Sequence, residues 1–273
     1  MADYVPVYQP IYPLFLGKSQ AYAEEVGVQN FKRVNTVGDI RAKHITPKDT
    51  EIKQIAVNEA SKTFKKYFLA NQFTQSSLQD QRGVEDVVSQ VLDEHQKHAD
   101  DLFLLGEGTS ASTMINNGLF WSDDENYTLE DSNELDTDAD PLIALHAQVM
   151  ANYLSAEQLA GRKSIIFYGS SMLSYFDSVY AASSVPFKKV LAEVLPGVAL
   201  IKMPSAVTPS NTNGLIVANH DQVKLHFCGL PALKDQGVNS EKMYSWHNFL
   251  MGSMMLEVLA SGGIIRQPVT FEA

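Results

Sequence analysis

The sequence predicts an α+β fold, and three stretches predict it. Residues 80–105 place apolar side chains at every third or fourth position, the spacing of one long amphipathic helix. Residues 31–73 break into short pieces in which polar and apolar positions alternate, as in half-buried strands. From residue 140 onward, helical and strand-like segments alternate as in a compact α/β unit. The chain has 273 residues, 45% hydrophobic and 19% charged, which is ample for a buried core and unlike a disordered segment.

The first element is an extended arm. Tyrosines at 4, 8 and 12 alternate with prolines at 6, 10 and 13, and each proline fixes its own φ and keeps its predecessor out of the helical region. Such an arm cannot bury its own side chains, so it lies either as a strap across its own domain or on a neighbouring subunit. Next comes a long two-stranded excursion. "EIKQIAVN" alternates through Ile55 and Val57, "KTFKKYFLANQF" is rich in aromatics, and the polar "KHITPKDTE" around Pro47 forms the tip. Two strands alone are marginal in water, so this hairpin needs something to lie on.

The helix at 80–105, with Asp80 as N-cap, presents Val84, Val87, Val88, Val91, Leu92, His95, Ala99, Leu102 and Phe103 on its apolar stripe. It is long enough to act as a beam through a domain. Residues 122–140 hold nine acidic residues and no basic one, and read as a solvated loop or linker. Asp140-Pro141 then caps a helix "PLIALHAQVMANYL". After it come a strand "SIIFYG", a helix from about Ser171, a helix "FKKVLAEVL" stopped at Pro196-Gly197, a strand "VALIKM", and a pair "GLIVAN" and "QVKLHF" joined by Asn219 to Asp221. From Lys242 to Pro268 the text is ambiguous: Leu250, Met251, Met254, Met255, Val258 and Leu259 fit a helix, while "YSWHNF" and "GGIIRQPVTF" look like strands.

Candidate chemistry is sparse. Gly106-Glu107-Gly108-Thr109-Ser110-Ala111 matches the written form of a dinucleotide-binding turn, but a helix precedes it where a strand is required, so the glycines serve better as a helix stop. His95 and His98, with Asp93, Glu94 and Asp101 around them, lack the second Glu-x-x-His helix of a di-metal bundle and read as satisfied or solvent-facing histidines. Asp136-x-Asp138-x-Asp140 begins like a calcium loop, but Pro141 replaces the glycine at position six and Ala147 the acid at position twelve. Gly169-Ser170-Ser171 lacks the second glycine of a nucleophile elbow, and Cys228 has no neighbouring base. No catalytic, cofactor-binding or metal residue is predicted, and no cofactor.

The formal net charge is -11, from 21 basic and 32 acidic residues, and no basic patch offsets it, which argues against tight direct nucleic-acid binding. The lone cysteine, Cys228, excludes an intramolecular disulfide framework and a multi-cysteine zinc site. The N-terminus lacks a basic n-region and is broken by prolines, and no run approaches a membrane span, so the sequence predicts a soluble chain made and used in a cytoplasm.

The order of the parts resembles a known family. A proline-broken arm, a β excursion ending in "ASKTFKKYFLANQFTQSSLQD", the helix "VEDVVSQVLDEHQKHADDLFLLGEG", the step to "NNGLF", the run "DPLIALHAQVMANYL...KSIIFYGSSMLSYF", and "VPFKKVLAEVLPGVALIKMP" leading to "GLIVANHDQVKLHF" together resemble the major capsid proteins of tailed bacteriophages. Encapsulins, the shell proteins of nanocompartments, share that fold. The resemblance covers nearly the whole chain through loose local similarities, and the order carries it.

The resemblance implies a division into an N-terminal arm at 1–30, an extended loop at 31–74, a peripheral domain with its spine helix at 75–121 and 221–273, and an acidic linker with the axial domain at 122–220. It implies a non-enzymatic structural protein, assembled with copies of itself as hexamers and pentamers into an icosahedral head around double-stranded DNA. The DNA would be held without sequence-specific contact. Its implied partners are a portal, a separate scaffolding protein and decoration proteins, with no membrane, and its implied place is the virion, assembled in the host cytoplasm. This chain lacks the long helical scaffolding segment that some relatives carry before the arm, hence the expectation of a separate scaffold or none. Lys43, Lys48 and Lys53 near the loop tip are available for a cross-link. The extended arm favours the phage branch over an encapsulin-like shell, in which a helix more often comes first. An enzyme with a small α/β domain at about 140–230 is the remaining alternative.

Overall fold

The computed structural model describes residues 8–25, 27–37, 56–66, 68–74, 81–107, 116–120, 122–131, 133–135, 146–153, 164–169, 179–180, 185–195, 197–203, 214–239 and 244–271. The loop tip with Lys43, Lys48 and Lys53, the Asp80 cap, the Asp136 to Pro141 segment and the predicted helix start at Ser171 lie outside them.

A six-stranded sheet forms the middle of the molecule. Its order is β10 (Ala199–Lys202), β7 (Ser164–Tyr168), β11 (Gly214–Asn219), β16 (Ile264–Phe271) and β5 (Tyr127–Leu129), with β6 (Asn133–Leu135) also pairing β16. One face packs against a helix at 146–153 and a second helix, Phe187–Val194, around Val149, Ile166, Phe187, Leu191, Leu215 and Val217. A two-stranded ladder of β8 (Val179–Tyr180) and β9 (Val185–Pro186) leads into the second helix. The Phe187–Val194 helix matches the predicted one, and Gly197 at φ 86° makes the turn into β10 that the sequence marks with Pro-Gly.

The other face of this sheet joins the main core. Ile165, Phe167, Ile216 and Ile264 meet Ala99, Leu102, Phe103 and Leu104 of α1 (Gln81–Leu105), and the cluster continues into a three-stranded sheet of β1 (Ser19–Ala21), β12 (Val223–Phe227) and β15 (Met254–Val258). The beam helix is therefore real: 25 residues, about 37 Å at 1.5 Å per residue. Gly106 ends it in the left-handed region at φ 69°, its N–H donating to the Leu102 carbonyl at 2.9 Å, so the glycine is a helix stop.

The excursion begins as β2 (Gly27–Val37), antiparallel to β3 (Ala56–Lys66) over eleven residue pairs. It ends earlier than the sequence suggests. Phe68–Thr74, expected as its continuation, is a separate strand, β4, which pairs with β14 (Tyr244–Gly252) beside β13 (Ala232–Asn239).

One ambiguity is resolved and one expectation corrected. The C-terminal stretch, which fits helix or strand by sequence, forms the strands β14, β15 and β16: all five residues of β15 are buried, and a strand covered on both faces carries an unbroken apolar run that mimics a helical stripe. The acidic stretch is no solvated linker over its described residues, 122–131 and 133–135, since β5 and β6 add to the sheet there and Asp124 is buried.

Candidate functional site

The arm and the hairpin cannot stand alone, so the functional geometry lies where they are fastened. Within the arm, residues 8–22 form a strap on the chain's own core. It runs as a short 3-10 helix, Tyr12–Lys18, and buries Ile11, Tyr12 and Phe15. Phe15 sits between Phe103 of α1 and Phe167 of the central sheet, ring centroids 5.2 and 6.4 Å away. One carboxylate fastens its start. Asp100 of α1 is fully buried and accepts the backbone N–H groups of Ile11 and Tyr12 at 2.8–2.9 Å, together with the Tyr8 hydroxyl. It thus caps the first turn of the short helix, whose own N-cap position offers no side-chain acceptor. Burial pushes the Asp100 carboxyl above the usual carboxylate range, although the hydrogen bonds from Tyr8, Tyr12 and Ile11 oppose the shift. The Tyr8 and Tyr12 phenols are raised as well, first by burial and then by Asp100.

The strap then becomes β1, parallel to β12, and Tyr22 arrives at the second fastening. Its hydroxyl lies 2.7 Å from His226 Nδ1, and His226 Nε2 lies 2.8 Å from a carboxylate oxygen of Glu257. His226 is fully buried. Three rings surround its imidazole: Phe31 of β2 stacks at 4.4 Å, Tyr22 at 5.7 Å, and Phe64 of β3 tilts at 6.4 Å. The root of the hairpin is thereby seated on the outer face of the β1–β12–β15 sheet, with Phe64, Cys228 and Met255 as its small core. Burial, then the Glu257 charge, pushes the Tyr22 phenol up to about 12.

Backbone groups of the root are caught too. The Asn116 side chain exchanges two hydrogen bonds with the backbone of Lys65, at 3.1 and 2.9 Å, as a neighbouring strand would. Ser253 Oγ also donates to the Lys65 carbonyl at 2.8 Å, and Lys66, 5% exposed, holds Glu25 at 2.9 Å.

A hydroxyl, an imidazole and a carboxylate in series could move a proton in an open site. Here the imidazole is closed under three rings, so the arrangement clamps. The residues weighed from sequence are placed elsewhere and apart. His95 is buried and its pKa is lowered, by burial first and then by His98, while His98 is partly exposed and 3.9 Å from Asp101. Among the described residues no group of three or more His, Cys, Asp or Glu side chains could hold a metal ion. Cys228 is buried with its sulfur 3.4 Å from Ser253 Oγ. Gly169 lies at the end of β7, and Ala147 is on the exposed side of its helix. No described helix is long and apolar enough to cross a membrane.

Sequence reasoning missed Asp100, Tyr22, His226 and Glu257. Asp100 had a signal: a carboxylate between Ala99 and Leu102–Phe103 on the apolar stripe needs donors from another segment.

No family model matches the chain, and no curated protein matches it in sequence. Solved structures do match in fold. A chain of the capsid of Myoviridae phage XM1 aligns with a TM-score of 0.62 at 12% identity, over 92% of this chain and 87% of that one. A chain from Gordonia phage Cozz gives 0.57 at 12% identity, over 100% and 92%. A virus-like particle from Pyrococcus furiosus gives 0.54 at 10% identity, over 92% and 91%. The chain has the fold of these proteins, which is the fold the order of its parts predicts.

Proposed function

We propose that this chain is a structural shell protein, the major capsid protein of a tailed phage, which assembles with copies of itself as hexamers and pentamers into an icosahedral head around double-stranded DNA. The observation that carries the reading is the likeness to a phage capsid chain over almost the entire length of both. Its physical support is the β2–β3 hairpin: eleven residue pairs of two-stranded ladder with no third strand among the described residues, anchored at the root by His226, Phe31 and Phe64. An element of this kind is marginal on its own and gains stability by lying on a neighbour. The net charge of -11 suits an inner wall that must let packed DNA move.

In this reading the protein acts in the virion, without catalysis. Its partners are other copies of itself, a portal, a separate scaffolding protein and decoration proteins, and the head is assembled in the host cytoplasm. The division into arm (1–30), extended loop (31–74), peripheral (75–121 and 221–273) and axial (122–220) regions belongs to the same proposal, with one adjustment. β16, which the resemblance puts in the peripheral region, hydrogen-bonds between β11 and β5, and this supports counting it with the axial region. The virus-like particle among the structural matches supports an encapsulin-like shell as the second reading.

Expression of the chain, size exclusion and electron microscopy of the leading peak test both. Capsomer rings or closed heads support the proposal. Small shells filled with protein cargo transfer it to the second reading, and a clean monomer or dimer with and without the other virion proteins rejects both.

A further inference from the structure

The two edges of the six-stranded sheet are complementary, row by row. β10 runs parallel to β7, β7 antiparallel to β11, β11 antiparallel to β16 and β16 parallel to β5, so the edge strands β10 and β5 point the same way. The pairing register carries Ile201 through Phe167, Ile216 and Arg266 to Leu129. One residue further on, the row from Lys202 through Tyr168, Leu215 and Gln267 reaches the position of Glu130, whose N–H is bonded to the Arg266 carbonyl at 2.9 Å.

Residues on one row of a sheet share a face, and adjacent rows alternate. Each edge therefore ends in an apolar residue on one face and a charge on the other, with opposite signs at the two edges. Leu129 is 58% exposed, and Glu130 and Lys202 are exposed as well. Among the described residues no strand pairs with the outer side of β5 or of β10.

We propose that the sheet continues from copy to copy, β5 of one chain lying parallel to β10 of the next, so that Glu130 meets Lys202 and Leu129 covers Ile201. Edge-strand addition supplies main-chain hydrogen bonds, and the side-chain rows set the register. Because the two edges differ, the contact is head to tail and closes into rings where the rotation permits; a two-fold pairing of β5 with β5 would leave Lys202 unmet. This interface rests on the shell-forming reading above and names which surfaces adjoin within a ring.

Charge reversal tests it. Lys202→Glu and Glu130→Lys, made singly, each place like charges across every contact and are expected to assemble only at a concentration at least about tenfold above wild type. The double swap K202E/E130K is expected to assemble near the wild-type concentration, since it restores opposite charges at every contact; a one-to-one mixture of the two single variants is expected to form six-membered rings, in which the variants alternate, and to be impaired in five-membered rings, where one like-charged contact must remain. Melting of the unassembled chains, expected to be unchanged for these exposed positions, separates assembly from folding.

A second measurement is independent of charge. A Leu129→Cys/Ile201→Cys chain treated with a short bis-maleimide, which adds one thiol at each end, is expected to give a ladder of covalent oligomers, whereas either single cysteine gives none; native Cys228 is buried. Covalent dimers from Leu129→Cys alone, or single charge reversals that assemble at the wild-type concentration into normal shells, overturn this interface while the shell reading stands. A wild-type chain that never assembles overturns both.

Discussion

His226 and Glu257 form a hydrogen-bonded pair inside the molecule, Nε2 to carboxylate oxygen at 2.8 Å, with the imidazole fully buried and the carboxylate nearly so. They stand on adjacent strands, β12 and β15, and the pair is roofed by rings from the strap and from both strands of the hairpin. Three segments that are distant in the chain thus meet at one side chain.

Removing one member strands the other in the interior, which typically costs about 3–5 kcal/mol, whereas a well-packed apolar pair of similar volume can be neutral. His226→Phe and Glu257→Leu are each expected to lower stability by about 3 kcal/mol or more. The double variant His226→Phe/Glu257→Leu is expected to lose less than the two single losses combined. Urea unfolding of the unassembled chain measures the four corners of the cycle, and strict additivity would show that the pair is not coupled.

The Asp100 latch gives a pH dependence of known sign. Its folded-state carboxyl titrates above the ordinary carboxylate range, with burial as the leading cause. Between the unfolded and folded values the native state keeps a proton that the unfolded chain releases, so this contribution to stability is complete below the unfolded pKa and is lost as pH rises through the folded one. The stability of wild type relative to Asp100→Asn is therefore expected to fall with rising pH across that window and then level off. Thermal melts at a series of pH values check it; a difference that grows with pH would reverse the assignment.

The elements legible in the sequence were those whose signal is local. α1 and the helix Phe187–Val194 announce themselves by periodicity, and Gly106 marks where α1 must stop. β4 was absorbed into the hairpin because its partner, β14, lies about 175 residues away and no local feature of Phe68–Thr74 names it. β15 is ambiguous in sequence because burial on both faces erases the alternation that identifies a strand. The two fastenings were hidden for the same reason as β4: Tyr8 and Asp100 are separated by 92 residues, Tyr22 and His226 by 204. Each half is an ordinary polar residue until the fold supplies its partner.

Gly118, where the chain passes back along the end of α1, has no room for a side chain. A Cβ there would lie 2.1 Å from the Gly106 nitrogen and 2.5 Å from the Leu105 carbonyl carbon, both backbone atoms that cannot rotate away. The N–H groups of Leu119 and Phe120 donate to the carbonyls of Phe103 and Leu104 at 2.9 and 2.7 Å, and the Glu107 N–H donates to the Asn116 carbonyl at 2.9 Å, so the crossing is held from both sides. Gly118→Ala is expected to cost about 3 kcal/mol or more, seen as a lower urea midpoint or as loss of soluble chain. Retention of the wild-type midpoint would mean that the crossing can open.

Truncation separates the strap's part in folding from any part in assembly. A deletion of residues 1–20 removes Ile11, Tyr12 and Phe15 from the main core and takes from the Asp100 carboxylate its donors Tyr8, Ile11 and Tyr12. Loss of one large buried aromatic alone costs about 3–5 kcal/mol, a large share of the stability of an ordinary domain. This deletion is therefore expected to give aggregated or protease-sensitive chain, and its failure to form shells would say nothing about contacts between copies. Deleting only residues 1–7 spares Tyr8, Asp100 and the whole strap, and the melting temperature of the unassembled chain is expected to stay within a few degrees of wild type. Electron microscopy of that shorter deletion, and of a separate deletion of the loop tip at 43–50, then reads assembly without a folding defect. Normal heads from both would remove the arm's first residues and the tip from the contacts between neighbours.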